Sequence, residues 1–317
     1  MPPSTRVIGA YAAQPDDPAL RPEFVQRVLE LDGVTGLEIP FGAAVYRQDE
    51  EWLWRSLPRG GRHVFTLIGA TMEALGADPA FGLASDDDAA RAAALQLLAA
   101  ARDAVAQVAA AGQQVTAVCL HTAPRRVVGA ATGNGAALRA SLREAAAWDW
   151  GGAALVVEHC DAPVGDRPVQ KGFLPLADEI AAVAEVAAAQ SNTPVGLSVN
   201  WGRSAIEARS AAGPLEHLAQ ARAAGVLVGF VLSGAGAEPG AYGPAWQDAH
   251  LALRGSADDG GEPTSLLTPQ LAAQALRSAG DGLLFDGVKL AVRPQDATLE
   301  QRLAVVRRAW DALVAQT

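Results

Sequence analysis

The chain has 317 residues, half of them hydrophobic, with a formal net charge of −10 and two cysteines. An acidic balance works against binding a polyanion, which relies on clustered Lys and Arg, so nucleic acid is not an expected partner. Cys119 and Cys160 lie inside apolar runs and build no disulfide framework. No stretch approaches the roughly 18 consecutive apolar residues of a membrane span, and Met1–Arg6 lacks a signal-peptide pattern, so the expectation is a soluble, cytoplasmic protein with no membrane partner.

In chain order, short apolar runs bounded by Gly, Pro and polar residues predict strands at Arg6–Ala13, Val34–Phe41, His63–Ala70 and Val115–Thr122. Four more follow at Ala153–Asp161, Pro194–Asn200, Val226–Ser233 and Leu283–Val292. Between and after them, alanine content and apolar spacing predict helices at Glu23–Leu31, Asp49–Leu57, Ser85–Ala111, Ala136–Trp148, Leu176–Ala189, Leu215–Ala224, Pro269–Ala279 and Leu299–Ala315. Ser85-Asp86-Asp87-Asp88 supplies capping oxygens and negative charge at the start of the longest helix.

Eight βα units give an α/β fold, a single (β/α)8 TIM barrel over residues 1–317; such a barrel needs about 250 residues. The loops that follow strands, Thr71–Ala84, Asp161–Pro175, Trp201–Gly213 and an insert at Gly234–Thr268, are longer than the returns, which places the active site at the carboxyl ends of the strands. Within the insert, polar Gly255–Glu262 reads as a mobile loop.

The run Ala153-Ala-Leu-Val-Val-Glu-His-Cys-Asp161 stops abruptly at Glu158. Alternation places Glu158 in the lumen with Val156 and turns His159 toward the helices or the rim. A lumen carboxylate is a metal ligand, a general base or half of a structural ion pair. His121 ends the preceding strand in a comparable position. Glu38 and Asn200 end two others, and Asn200 leads into Trp201, suited to stack on a sugar, and Arg203, suited to hold an anion. Ser233-Gly234-Ala235-Gly236 offers amides that would cradle an anion. Trp246 precedes Asp248 and His250, a pair suited to metal ligation or acid–base work. Lys289, within the eighth strand, reads as a substrate anchor, a proton donor or the partner of Glu158. With Arg125, Arg126, Lys171 and Arg203 it makes a locally basic mouth that suits an anionic carbohydrate such as a sugar phosphate, sugar acid or sulfonated sugar.

This pattern resembles the xylose-isomerase-like TIM barrels, a superfamily of sugar isomerases, epimerases and dehydratases. It is similar in particular to an actinobacterial branch that opens with Gly-Ala-Tyr-Ala, here Gly9-Ala10-Tyr11-Ala12. The resemblance implies a divalent metal (Mn, Mg, Co or Zn) held by Glu, Asp, His and Glu at the ends of strands five to eight. Glu158 matches the first of these, but Asn200 stands at the Asp, Ser233 near the His and Ala291 near the last Glu, so a metal requires Asp248, His250 or Asp286 as substitutes.

The resulting expectation is a sugar isomerase or epimerase in which Glu158 abstracts or relays a proton and a metal or Lys289 stabilises the enediolate oxygen. The alternatives are a lyase or aldolase with Lys289 as Schiff-base nucleophile, and a barrel that binds carbohydrate without turnover. Homo-oligomerisation is compatible with either.

Overall fold

The computed structural model describes residues 4–42, 53, 54, 57–126, 133–189 and 192–315. Strands β1 (Thr5–Ile8), β2 (Gly36–Pro40), β3 (Arg62–Thr66), β4 (Gln114–Leu120), β5 (Ala154–His159), β6 (Val195–Asn200), β7 (Leu227–Leu232) and β8 (Phe285–Val288) pair in parallel in that order. The barrel closes through β8 and β1, with Thr5 opposite Phe285 and Ile8 opposite Val288. All eight expected strands are present, as is the expected fold.

Helices follow the strands: α1 (Ala10–Ala13), α2 (Arg21–Leu29), α3 (Ile68–Ala77), α4 (Asp88–Ala110), α5 (Gly135–Ala146), α6 (Leu176–Ala188), α7 (Trp201–Ala208), α8 (Gly213–Ala223), α9 (Pro269–Ala279) and α10 (Leu299–Val314). Asp87 caps α4 by accepting from the amides of Ala89 and Ala90, and Thr298 and Gln301 form a reciprocal capping box at α10. The helix expected at Asp49–Leu57 lies outside the described residues apart from Leu53, Trp54 and Leu57.

Several sequence boundaries are corrected. The strands read at Arg6–Ala13, His63–Ala70 and Leu283–Val292 are shorter, because α1 and α3 begin directly after β1 and β3, and Lys289 falls one residue beyond β8. Two stretches read as loops contain helix. In Thr71–Ala84, strong helix formers extend α3 to Ala77, and in Trp201–Gly213 the Asn200 side chain caps α7 by accepting from Arg203 N. The insert folds back on itself through bridges between Gly234 and Leu251 and between Gly236 and Ser265. The segment expected to be mobile is tied to α10: Arg308 donates to the carbonyls of Arg254 and Asp259.

Two apolar clusters follow from strand alternation. Inside the barrel, Val7, Val64, Ala117, Cys119, Ala154, Val156, Val231 and Phe285 fill the lumen below the mouth. Outside it, Phe24, Val118, Leu155, Leu197, Phe230 and Trp310 belong to the layer between strands and helices. No helix of the described residues is long and apolar enough to cross a membrane.

Candidate active site

Positions in phase with the lumen cluster carry the polar groups at the carboxyl ends of the strands. Glu38 lies opposite Val64 in the β2–β3 register, Asn200 opposite Val231 and Glu158 opposite Ser198. His121 and Lys289 follow lumen-facing Cys119 and Phe285 by two and four residues. The structure thus places Glu38, His121, Glu158, Asn200 and Lys289 around one lumen, with Glu158 on the inward face that strand alternation gives it.

On one side Lys289 Nζ donates to Glu38 Oε1 at 2.6 Å, and Tyr11 Oη donates to the same oxygen at 3.2 Å. The ammonium also stands 5.3 Å from the centroid of the Tyr11 ring. Gly9 makes room, since a Cβ there would press on Lys289 Cγ at 3.1 Å. Burial alone would lower the Lys289 pKa, but the charge of Glu38, with Tyr11 and Glu158, holds it above the ordinary lysine value. One sequence reading is corrected here: the ion-pair partner of Lys289 is Glu38 rather than Glu158. The Schiff-base reading needs a depressed amine pKa, and the pairing with Glu38 works against it.

Across the lumen both Glu158 oxygens are engaged. Oε2 accepts from His121 Nε2 at 3.0 Å, while Oε1 accepts from Asn200 Nδ2 at 3.3 Å. Arg203 Nη1 lies 2.9 Å from Oε1 as an ion pair without hydrogen-bond alignment. Burial pushes the Glu158 pKa up, but the charges of Arg203 and Lys289 and the His121 hydrogen bond outweigh it, so the carboxylate titrates well below its usual range. Burial pulls His121 down to about 4, leaving a neutral ring whose Nε2–H points at Glu158 and whose buried Nδ1 has no hydrogen-bond partner.

The insert completes the mouth. Asp248 Oδ2 takes Arg203 Nε at 3.2 Å and Lys171 Nζ at 3.0 Å. These cations, with His250, overcome burial and hold the acid well below its usual value. Ser233 Oγ and His250 Nδ1 lie 2.8 Å apart, and Asp248 Oδ1 is 3.6 Å from the same nitrogen. Both groups meet one ring atom, so they form no relay in which acid and hydroxyl flank opposite nitrogens. Burial lowers His250 to about 3. Trp246 and His250 have φ of 60° and 53°, a left-handed backbone that bulky residues rarely adopt and that the Gly234–Leu251 bridge helps to hold.

Three substrate-contact expectations are corrected. Trp201 is fully buried in the layer between strands and helices and presents no stacking face. Arg203 is 1% exposed and spends its guanidinium on the protein's own carboxylates. The Gly234 amide donates to Leu251 O at 2.9 Å, so the anion cradle is closed by the insert. Trp246 is half-buried, with the Arg209 guanidinium 5.2 Å from its ring centroid. The basic mouth is neutralised: Lys171, Arg203 and Lys289 face Asp248, Glu158 and Glu38, and Arg126 lies 3.6 Å from Asp178.

The metal set Glu158, Asp248 and His250 is also corrected. Their ligand atoms do not gather: among the described residues the group whose ligand atoms all lie within 4.8 Å is His159, Glu207 and His217. A divalent ion at Glu158 would meet a guanidinium 2.9 Å from the carboxylate, and Asp248 is already held by two cations. The lumen donor set therefore does not fit a metal. Asp286 offers no substitute, since it faces Arg6 at 3.6 Å on the outer side of the wall.

Sequence reasoning missed Tyr11 as a site residue, although it stands in α1, three residues beyond the end of β1. It also missed Glu179, Glu207 and His217 behind β5. The one available signal was Glu179, which shares the buried stripe of α6 with Ala182, Val183 and Val186.

The closed barrel with its polar C-terminal mouth defines the class: a (β/α)8 TIM barrel, with a fold like that of a xylose isomerase domain protein from Alicyclobacillus acidocaldarius (TM-score 0.58, 17% identity, 99% of this chain and 98% of that one). Residues 7–305 match the family model described as a domain of unknown function, DUF4862, and the chain belongs to that family. It is 33% identical over 310 residues to the uncharacterised protein STM3670 of Salmonella typhimurium, covering 95% of this chain and 94% of that one. The structure is similar to an IolI protein with a bound zinc atom (TM-score 0.59, 12% identity, 99% of each chain covered). It is also similar to a D-psicose 3-epimerase studied in the presence of D-fructose (TM-score 0.58, 14% identity, 99% of this chain and 100% of that one).

Proposed function

We propose that the protein is a sugar isomerase or epimerase acting on an uncharged carbohydrate by proton transfer at the barrel mouth. The observation that carries the reading is the position of Lys289, in contact with Glu38 at 2.6 Å and within electrostatic reach of Glu158. An ammonium there would stabilise the oxygen on which negative charge develops when a proton leaves the adjacent carbon. Carboxylates on either side of it supply acceptors for that proton. Glu158 is a weak base by virtue of its lowered pKa, so acidification of the substrate by Lys289 must carry much of the barrier, and the conjugate acid returns its proton readily. Lys171, Arg203 and Lys289 balance Glu38, Glu158 and Asp248, which favours hydroxyl groups over a phosphate or carboxylate as the ligand. The substrate charge expected from sequence is revised accordingly.

The test is solvent exchange. Wild-type protein is incubated in D2O with a panel of neutral ketoses and aldoses, and deuterium entry beside the carbonyl is followed by NMR. Exchange is expected on at least one sugar, and Glu158→Gln is expected to slow it by about 10²–10⁴-fold. Full exchange by Glu158→Gln removes that residue from the chemistry. Binding without turnover is the second reading, favoured by the engagement of both Glu158 oxygens; sugar binding with no exchange would establish it.

A further inference from the structure

We propose that His159, Glu207 and His217 form a binding site for a divalent transition metal of the zinc type, on the outer face of the barrel wall. Glu158 and His159 are adjacent in β5 and point to opposite faces, so this site is separate from the lumen. His159 ends β5, Glu207 lies near the end of α7, and His217 comes from α8.

The arrangement around the two rings carries the inference. His159 Nδ1 is 2.7 Å from Glu179 Oε2, and His217 Nδ1 is 2.9 Å from Ser204 Oγ. Each ring thus has a hydrogen-bond partner at Nδ1, a carboxylate for His159 and a hydroxyl for His217, which is how a second layer of partners orients metal-binding imidazoles. Both Nε2 atoms turn to one carboxylate: His159 Nε2 donates to Glu207 Oε2 at 3.1 Å, a proton that a metal ion would displace, and His217 Nε2 lies 3.6 Å from Glu207 Oε1. The two contacts run to different oxygens of Glu207, and with one ligand atom taken from each residue the three lie within 4.8 Å of one another, a spacing that small side-chain adjustments bring to metal–ligand bonds of about 2.0–2.1 Å.

The outer layer is fixed in turn. Thr122 Oγ1 donates to Glu179 Oε1 at 2.6 Å, and the Ala162 amide donates to Glu207 Oε2 at 2.7 Å. Two carboxylates with two imidazoles in the neutral, ligating form carry two negative charges, which one divalent ion cancels. The side chains of Glu207 and His217 are 12% and 10% exposed, which leaves an entry path and a direction for a water as fourth ligand. Two nitrogens and one carboxylate oxygen select zinc or cobalt over calcium or magnesium.

The experiment uses full-length, tag-free protein stripped of metal and titrated with Co²⁺ and then Zn²⁺. One equivalent of Co²⁺ is expected to give the intense visible bands of four-coordinate cobalt, and Zn²⁺ to displace it and raise the melting temperature. His217→Ala and Glu207→Gln should abolish the bands, and Ser204→Ala, which keeps all three ligands, should weaken affinity by about 10–100-fold. Glu158→Gln and Asp248→Asn should leave uptake unchanged. Absence of stoichiometric uptake by the folded wild-type protein overturns the proposal. So does uptake that survives His217→Ala, an affinity that Ser204→Ala leaves unchanged, or uptake that is lost in Glu158→Gln.

Discussion

Lys289 Nζ rests 2.6 Å from Glu38 Oε1 across the β8–β1–β2 side of the lumen, joining residues 251 positions apart in the chain, with the two side chains 0% and 5% exposed. A buried ion pair contributes little net stability over an apolar pair, yet removing one partner strands the other charge in a low dielectric. Lys289→Met and Glu38→Gln should therefore each destabilise the fold by about 3–5 kcal/mol, while the double variant Glu38→Gln/Lys289→Met should lose less than the sum. Urea denaturation of the three variants measures this; strictly additive losses would show that the two charges do not depend on each other.

Acid should unfold the protein through its neutral histidines. In the folded chain His121 titrates at about 4 and His250 at about 3, against an unfolded value of 6.5. Between those values the unfolded state binds protons that the native state refuses, so stability falls as pH drops below about 6.5. Joined by His217, which burial lowers to about 4, these groups give a slope of up to about 4.1 kcal/mol per pH unit. Asp286, raised to about 6 by burial, opposes this over the lower part of the range, because there the native state holds the extra proton. Urea midpoints measured from pH 7 to pH 5 should decline, and His121→Gln should flatten the decline. A wild-type midpoint constant over that interval would contradict the neutral-histidine account.

How far the sequence carried this depends on the range of the interactions. Strand positions, the inward face of Glu158 and the outward face of His159 were legible because alternation is local. The partner of Lys289 was not, since Glu38 approaches it only when β8 closes against β1. Trp201 looks like a mouth residue after a strand, but Asn200 caps a helix there and the indole is buried between strands and helices, while Arg203 reaches the mouth only to be taken by Glu158 and Asp248, partners remote in sequence. The cluster behind β5 draws Glu179, Glu207 and His217 from three separate helices, and in sequence each resembles a surface charge.

Ligand charge is a further measurable consequence of the ion pairing. A sugar phosphate entering the mouth must compete with Asp248 and Glu158 for Arg203 and Lys171, whereas hydroxyl groups can bridge the existing charges. Neutral ketoses and polyols should raise the melting temperature at millimolar concentration, and their phosphorylated counterparts should not. The reverse ranking would mean that the internal carboxylates release their cations on binding, and would restore an anionic substrate.

The lower lumen sets the position of everything above it. Gly229 faces Phe285 across the β7–β8 pair, and a Cβ at Gly229 would fall 2.4 Å from the Phe285 ring and 2.8 Å from Ser198 Cβ. Ser198 lies opposite Glu158 in the β5–β6 register, so the overlap would push on the strand ends that carry Glu158 and Asn200. Overpacking of this kind typically destabilises by about 1–3 kcal/mol. Gly229→Ala should therefore lower the melting temperature, and Gly229→Ala/Phe285→Leu should recover part of the loss because the smaller side chain clears the contact. If the double variant is instead less stable than Gly229→Ala alone, the ring is not the obstacle, and the restriction at Gly229 lies in the backbone.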